Sequence, residues 1–375
     1  MSRVDVFLEL VVNQKGSDLH LVSGNTPRVR LHGETHAVKY RTLSSDETRD
    51  LLYEIMTESQ QRAFEKANNL DFAYENPELA RFRVNVFEHM GGIGAVFRVI
   101  PSEVQTLAQL GLPPVLKNLC RQRKGLILVT GPTGSGKSTT LAAMIDFINT
   151  ERKGHIITIE DPIEFIHKNK GCLISQREVG THTPEFSAAL RSSLREDPDV
   201  ILVGELRDLE TIHLALTAAE MGILVVATLH TSSATSTVDR IVNVFPSSDE
   251  AYVRTMLSTS LVSVISQLLL PTADRKGRVA ALEIMINNSA VANLIREGKT
   301  DQLDNIIQSG GMQGMQRMDT ALQRLLDAKV ITGEDAYIKA RNKSEFEQYR
   351  ENIETEEPHQ SSQQLEDDTA EKSGT

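Results

Sequence analysis

Gly131-Pro-Thr-Gly-Ser-Gly-Lys-Ser138 is the segment of this 375-residue chain whose spacing carries the most chemistry. It matches G-x-x-x-x-G-K-[ST], a pattern in which glycines let the backbone curl so that several amide hydrogens converge on phosphate oxygens. The apolar run LILV at 126–129 precedes it and the helical stretch STTLAAMIDFI follows it. That order places the positive end of a helix at the same point. Gly131, Thr133, Gly134, Ser135, Gly136, Lys137, Ser138 and Thr139 are therefore the candidate nucleotide-binding residues. Lys137 would reach the β- and γ-phosphates of ATP, and Ser138 would ligate Mg²⁺. The alternative is a plain glycine-rich turn between strand and helix, which the flanking pattern disfavours.

Hydrolysis needs carboxylates for metal and water, and these sit at the ends of neighbouring strands. Two clusters occupy such ends. Glu160-Asp161-Pro162-Ile163-Glu164 follows the run IITI, and Gly204-Glu205 follows VILV. Glu205 stands where a Walker-B acid would stand, and Glu164 is the second candidate. For either acid the alternative is a helix cap or a solvated loop. A third strand end gives Thr228-Leu229-His230-Thr231. His230 is either a sensor of the γ-phosphate or a structural histidine.

These groups must be positioned by the elements between them. The short, nearly continuous apolar runs at 126–129, 156–159, 200–203 and 223–226 read as strands covered by helices on both faces. They predict an α/β domain with a mainly parallel sheet. The first hundred residues predict a different, α+β domain with an antiparallel sheet. Ser17–Leu21 and Val29–Leu31 alternate as half-buried strands do, with a turn at His32-Gly33. Ser44 and Glu47 make a capping-box spacing for a helix running on toward Lys66. Phe82, Val84 and Val86 share one strand face, and Arg81 and Arg83 share the other with Asn85. Ala95–Ile100 carries Arg98. The predicted boundaries are 1–100 for this domain, 101–115 for a linker rich in Pro and Gly, 116–350 for the α/β domain, and 351–375 for a disordered tail.

Composition narrows the class. No apolar run approaches the roughly 20 residues that span a bilayer. The start MSRVDVFLELVV is broken by Asp5 and Glu9 and does not read as a signal peptide. Two cysteines, Cys120 and Cys172, make neither a disulfide framework nor a four-cysteine zinc site. A cytoplasmic location is expected. The net charge is −11, but residues 351–375 hold eight acids against one lysine. Such a tail cannot bury enough apolar surface to offset its ordering entropy. The near-neutral body shows no basic footprint, so no nucleic-acid partner is expected.

The series GPTGSGKST, ITIEDPIEF, EDPDVILVGELRD and ATLHT, in this order, resembles the type II/IV secretion ATPase superfamily. GSDLHL, RFRVN, LPPVLKNL and the GMQ-x-MD segment at 314–319 make the chain similar to its PilT/PilU group of pilus-retraction ATPases. The resemblance covers roughly residues 5–345. It implies an N-terminal PAS-like α+β domain followed by a RecA-like P-loop ATPase domain, assembled as a homo-hexamer that acts on an inner-membrane pilus platform protein. A paralogous pilus ATPase is a further implied partner. By that resemblance Glu164 is the general base for the attacking water, Glu205 organises Mg²⁺, and His230 belongs to a conserved histidine box. Arg81, Arg83 and Arg98 would offset phosphate charge; an exposed strand face is the alternative for each. Three departures stand out. Ile223 follows Gly222 where many members have histidine. Ala290–Glu297 keeps NLIRE but has Ala292 where the retraction-linked element has arginine. Gly171-Cys172 has the flavour of the PilU branch. Rival readings are a PilU-like accessory motor, a pilus-extension or type II secretion ATPase, and a regulatory nucleotide-binding module without sustained turnover. The extension and secretion enzymes carry a longer N-terminal region and a four-cysteine zinc motif that this chain lacks.

Overall fold

A computed structural model describes residues 2–31, 34–100 and 103–352 of the chain. The turn expected at His32-Gly33, the linker residue Pro101 and the acidic tail beyond 352 lie outside the described residues. Two sheets organise the rest, one on each side of the linker.

The N-terminal sheet has six strands: β1 (Asp18–Val22), β2 (Arg28–Leu31), β3 (Glu34–Ala37), β4 (Asn69–Asn76), β5 (Ala80–His89) and β6 (Gly92–Ile100). Their order is β3-β2-β1-β6-β5-β4, and every pair is antiparallel. Alternation along β5 sends Phe82, Val84 and Val86 into a core with Leu19, Leu21 and Phe97, all fully buried. Arg81 and Arg83 take the opposite face. The helix expected from Ser44 to Lys66 is instead two, Ser45–Tyr53 and Glu58–Ala67. The break has a local cause. Thr57 heads a second capping box with Gln60, and Gln61 Nε2 donates to the carbonyls of Tyr53, the last residue of the first helix, and Met56 in the turn after it.

The second sheet holds β7 (Gly125–Thr130), β8 (His155–Glu160), β9 (Leu173–Glu178), β10 (Val200–Val203), β11 (Leu224–Leu229), β12 (Leu261–Pro271) and β13 (Arg278–Ile286). The order is β13-β12-β7-β11-β10-β8-β9, parallel throughout except for the β12–β13 hairpin. Successive residues of each central strand enter different cores. Leu126, Leu128, Ile201, Val203, Val225 and Ala227 pack under the helices Phe186–Ser193, Leu209–Glu220 and Ala234–Val242. Ile127, Val129, Leu202, Leu224 and Val226 pack under Lys137–Glu151 and Val115–Cys120 on the other side. Both faces are covered, which explains why these strands read as unbroken apolar runs. Parallel β7, β11, β10 and β8 lie side by side, so the four polar segments at their C-terminal ends emerge along one edge.

Candidate active site

At the first of those ends, β7 runs into the loop 131–136 and the helix Lys137–Glu151. Gly131 has φ +142°, and a Cβ there would meet the Gln267 carbonyl oxygen at 2.3 Å. Gly136 has φ +84°, and a Cβ there would meet the Gln267 side-chain nitrogen at 2.9 Å. Only glycine fits either place. Gln267, buried on β12, ties the loop down: its Nε2 donates to the Ser135 carbonyl at 2.6 Å and its Oε1 accepts from Thr140 Oγ1 at 2.8 Å. Sequence reasoning missed Gln267, though one amide in the run LVSVISQLLLP is a visible signal. Lys137 folds over the loop and donates from Nζ to the carbonyls of Gly131 and Pro132 at 2.8 and 3.1 Å. Burial lowers its pKa, and the nearby charges of Glu205 and Glu164 oppose that shift. Ser135 Oγ is buried with no hydrogen-bond partner among the described residues. A curled backbone, an unpartnered buried hydroxyl and a lysine together fit a phosphate chain.

Glu205 stands just beyond β10, held from both sides. Arg207 Nε donates to its Oε2 at 2.8 Å, and His230 Nε2 lies 3.2 Å from its Oε1. Arg207 also approaches Asp161 at 3.6 Å. The two strand ends are stitched together: the Thr228 hydroxyl donates to the Gly204 carbonyl, and the Leu206 amide donates to Thr228 O at 3.0 Å. Arg207 was not singled out from sequence.

Glu164 is exposed on the loop after β8. That loop is fastened at two carboxylates. Glu160 accepts from Thr158 Oγ1 at 2.6 Å and Gln176 Nε2 at 3.2 Å, and burial pushes its pKa up to about 6 despite these bonds and one from the Glu164 amide. Glu178, at the end of β9 and 4% exposed, accepts the Ile163 amide at 3.0 Å. The same Oε2 accepts Arg81 Nη2 from the N-terminal sheet at 3.0 Å. Arg81 is thus joined, through Glu178, to the loop that carries Glu164. Arg83 and Arg98 pair within their own sheet, Arg83 with Asp71 at 3.6 Å and Arg98 with Asp18 at 2.9 Å.

The structure therefore gathers Lys137, Ser138, Glu164, Glu205 and His230 along one sheet edge, with Arg81 joined to them through Glu178. No group of three or more His, Cys, Asp or Glu side chains among the described residues forms a metal cage. Ser138 and Glu205 offer hard oxygen donors, which suit Mg²⁺ when phosphate and water complete its shell. A cleft of about 600 Å³ at the opposite edge, lined by Cys120, Arg121, Arg152 and Asp199, holds none of these groups. Ile223 sits at that far end of the sheet too, buried in the core just before β11. Its side chain is remote along the strand from His230. No helix among the described residues is long and apolar enough to cross a membrane.

Comparison with known proteins adds the following. A family model described as Type II/IV secretion system protein matches residues 2–366. The chain is 52% identical over 339 residues to the type IV pilus retractation ATPase PilT of Pseudomonas aeruginosa, covering 90% of this chain and 98% of that one. It is 41% identical to the type IV pilus ATPase PilU of the same organism, covering 89% and 87%. A crystal structure of the pilus retraction motor PilT with bound ADP superposes with a TM-score of 0.87 at 44% identity, covering 93% of this chain and 99% of that one.

Proposed function

We infer that this chain, which belongs to the Type II/IV secretion system protein family, is an ATPase that powers retraction of type IV pili. The observation that carries the reading is the meeting of Lys137, Glu164, Glu205 and His230 beside a phosphate-cradling loop, in a chain similar to PilT over 90% of its length. Identity to PilT exceeds identity to PilU, 52% against 41%, which favours the principal retraction motor. The Gly171-Cys172 pair favours a second reading, a PilU-like accessory motor.

The mechanism follows from the side chains. The loop 131–138 binds the triphosphate of ATP, and Lys137 leaves the Gly131 and Pro132 carbonyls to neutralise the β- and γ-phosphates. Gly131, Thr133, Gly134, Ser135, Gly136 and Thr139 supply backbone and hydroxyl donors. Ser138 and Glu205 would hold Mg²⁺, which supplies charge neutralisation across the phosphates. Glu164 takes a proton from the attacking water. His230, poised on Glu205, reports the presence of the γ-phosphate. Arg81, Arg83 and Arg98 lie on the PAS-like N-terminal domain, and closure of that domain over the RecA-like ATPase domain brings them toward phosphate. For Arg81 this means exchanging Glu178 for a phosphate oxygen, while the Ile163 amide still holds the Glu164 loop to Glu178. The motor acts as a cytoplasmic homo-hexamer, recruited to an inner-membrane pilus platform protein and, in some settings, to a paralogous ATPase.

Deletion of the gene, with counting of surface pili and of twitching, tests the assignment. Excess pili without twitching is expected. Bald cells would indicate an extension motor instead, and normal pili with altered force would indicate the accessory role.

A further inference from the structure

Strand β13 carries one carboxylate that the chemistry above does not use. Glu283 lies in the run VAALEIMI and is 1% exposed. A charge at that depth is tolerated only when paired and fully hydrogen-bonded. Its partners come from two different parts of the molecule. Arg341, just after the helix Gly333–Lys339, meets both oxygens, Nη1 at 2.5 Å from Oε2 and Nη2 at 3.2 Å from Oε1. The Ala234 amide donates to Glu283 Oε1 at 2.9 Å. That amide is the first of the helix Ala234–Val242, one that the helix itself leaves without a partner. Arg341 Nη2 also reaches the Ser232 carbonyl at 2.5 Å. The backbone of Arg341 is fixed in turn. Its amide and that of Asn342 donate to the two oxygens of Asp319, 2% exposed in the first turn of the helix Met318–Asp327, at 2.8 and 3.0 Å.

Ser232 is two residues from His230. The other side of His230 is tied through Thr228 to the loop that carries Glu205. We propose that Arg341 and Glu283 form a positioning clamp on the His230 loop, through which the C-terminal helices Met318–Asp327 and Gly333–Lys339 act on ATP hydrolysis. The proposal rests on the reading above, in which His230 serves turnover. The fork of an arginine is essential to it, because one guanidinium must hold Glu283 and the Ser232 carbonyl together. A lysine ammonium keeps the charge balance but cannot bridge both with the same geometry.

The test uses the full-length chain and compares wild type with Arg341→Lys, His230→Ala and the double variant. Arg341→Lys is expected to melt near wild type and to lose about tenfold in kcat, with KM for ATP within about threefold. Combined with His230→Ala it should cost nothing further, because both changes act through one loop. Unchanged kcat in Arg341→Lys, or a loss that multiplies with that of His230→Ala, overturns the clamp. Should Arg341→Lys not fold, Glu283→Gln/Arg341→Gln supplies a neutral pair in which the same kcat loss is expected and full turnover overturns the proposal. Full turnover in His230→Ala, or none in wild type, overturns the underlying reading and the clamp with it. That outcome is told apart because Arg341 is then intact.

Discussion

Glu160 and Glu164 lie four residues apart in sequence yet differ in surroundings, one half-buried and bonded, the other exposed beside the phosphate loop. Burial holds Glu160 at about 6 against an ordinary 4.5. The folded chain therefore keeps a proton that the unfolded chain has released between those values. Stability contributed by this group is present below pH 4.5 and declines as pH rises to about 6, by a total on the order of 2 kcal/mol. Glu160→Gln should remove that decline. Urea midpoints at pH 4.5 and 6.5 will show it, and an equal fall in both proteins would contradict the account. Burial pushes Cys120 up to about 12, so its thiol should resist alkylation in the native chain. The phosphate loop was legible from sequence because its spacing is itself the chemistry. Arg207 and Glu178 were not, because a charged residue in a loop has many equivalent uses until its partner is known.

The elements that carry the site were read unevenly, for physical reasons. Four central strands announced themselves because both their faces are buried. The β12–β13 hairpin did not, since β12 mixes Ser263, Ser266 and Gln267 into an apolar run and resembles no simple period. Two of them serve the loop and its strand, the Thr130 and Ser266 hydroxyls lying 2.9 Å apart and Gln267 gripping Ser135 and Thr140, while the Ser263 hydroxyl donates to the Met285 carbonyl on β13. Gln267→Leu leaves both partners buried and unsatisfied, at a cost of about 2 kcal/mol in stability. ATP affinity should fall with it, because the loop loses its support. Calorimetric unfolding and nucleotide titration check both effects; unaltered affinity would show that the loop holds its own shape. The N-terminal helix break was missed although its signal is present, since Thr57 and Gln60 repeat the spacing of Ser44 and Glu47.

At the scale of the molecule, Arg81 and Glu178 join residues 97 apart in sequence and belong to different sheets. No local pattern could foretell that contact. Arg81→Ala leaves a nearly buried carboxylate without its cation and should cost about 3 kcal/mol. Arg81→Ala/Glu178→Gln should recover part of that loss, and thermal unfolding of Arg81→Ala, Glu178→Gln and the double variant measures the coupling. Additive losses would contradict a direct interdomain pair. The proposed ring is tested by native mass measurement with and without nucleotide, where a hexamer is expected and a strict monomer at all concentrations would defeat the ring. The N-terminal α+β sheet and the P-loop domain were both legible in outline; the way one reaches into the other was not.

The claim on which the rest depends is that this sheet edge hydrolyses ATP with Glu164 as base. Steady-state phosphate release by the purified full-length chain addresses it most directly. Wild type should release phosphate continuously, Lys137→Ala should not, and Glu164→Gln should bind ATP yet turn over at least about a hundredfold more slowly. Undiminished release by Glu164→Gln would remove that residue from the chemistry and contradict the account.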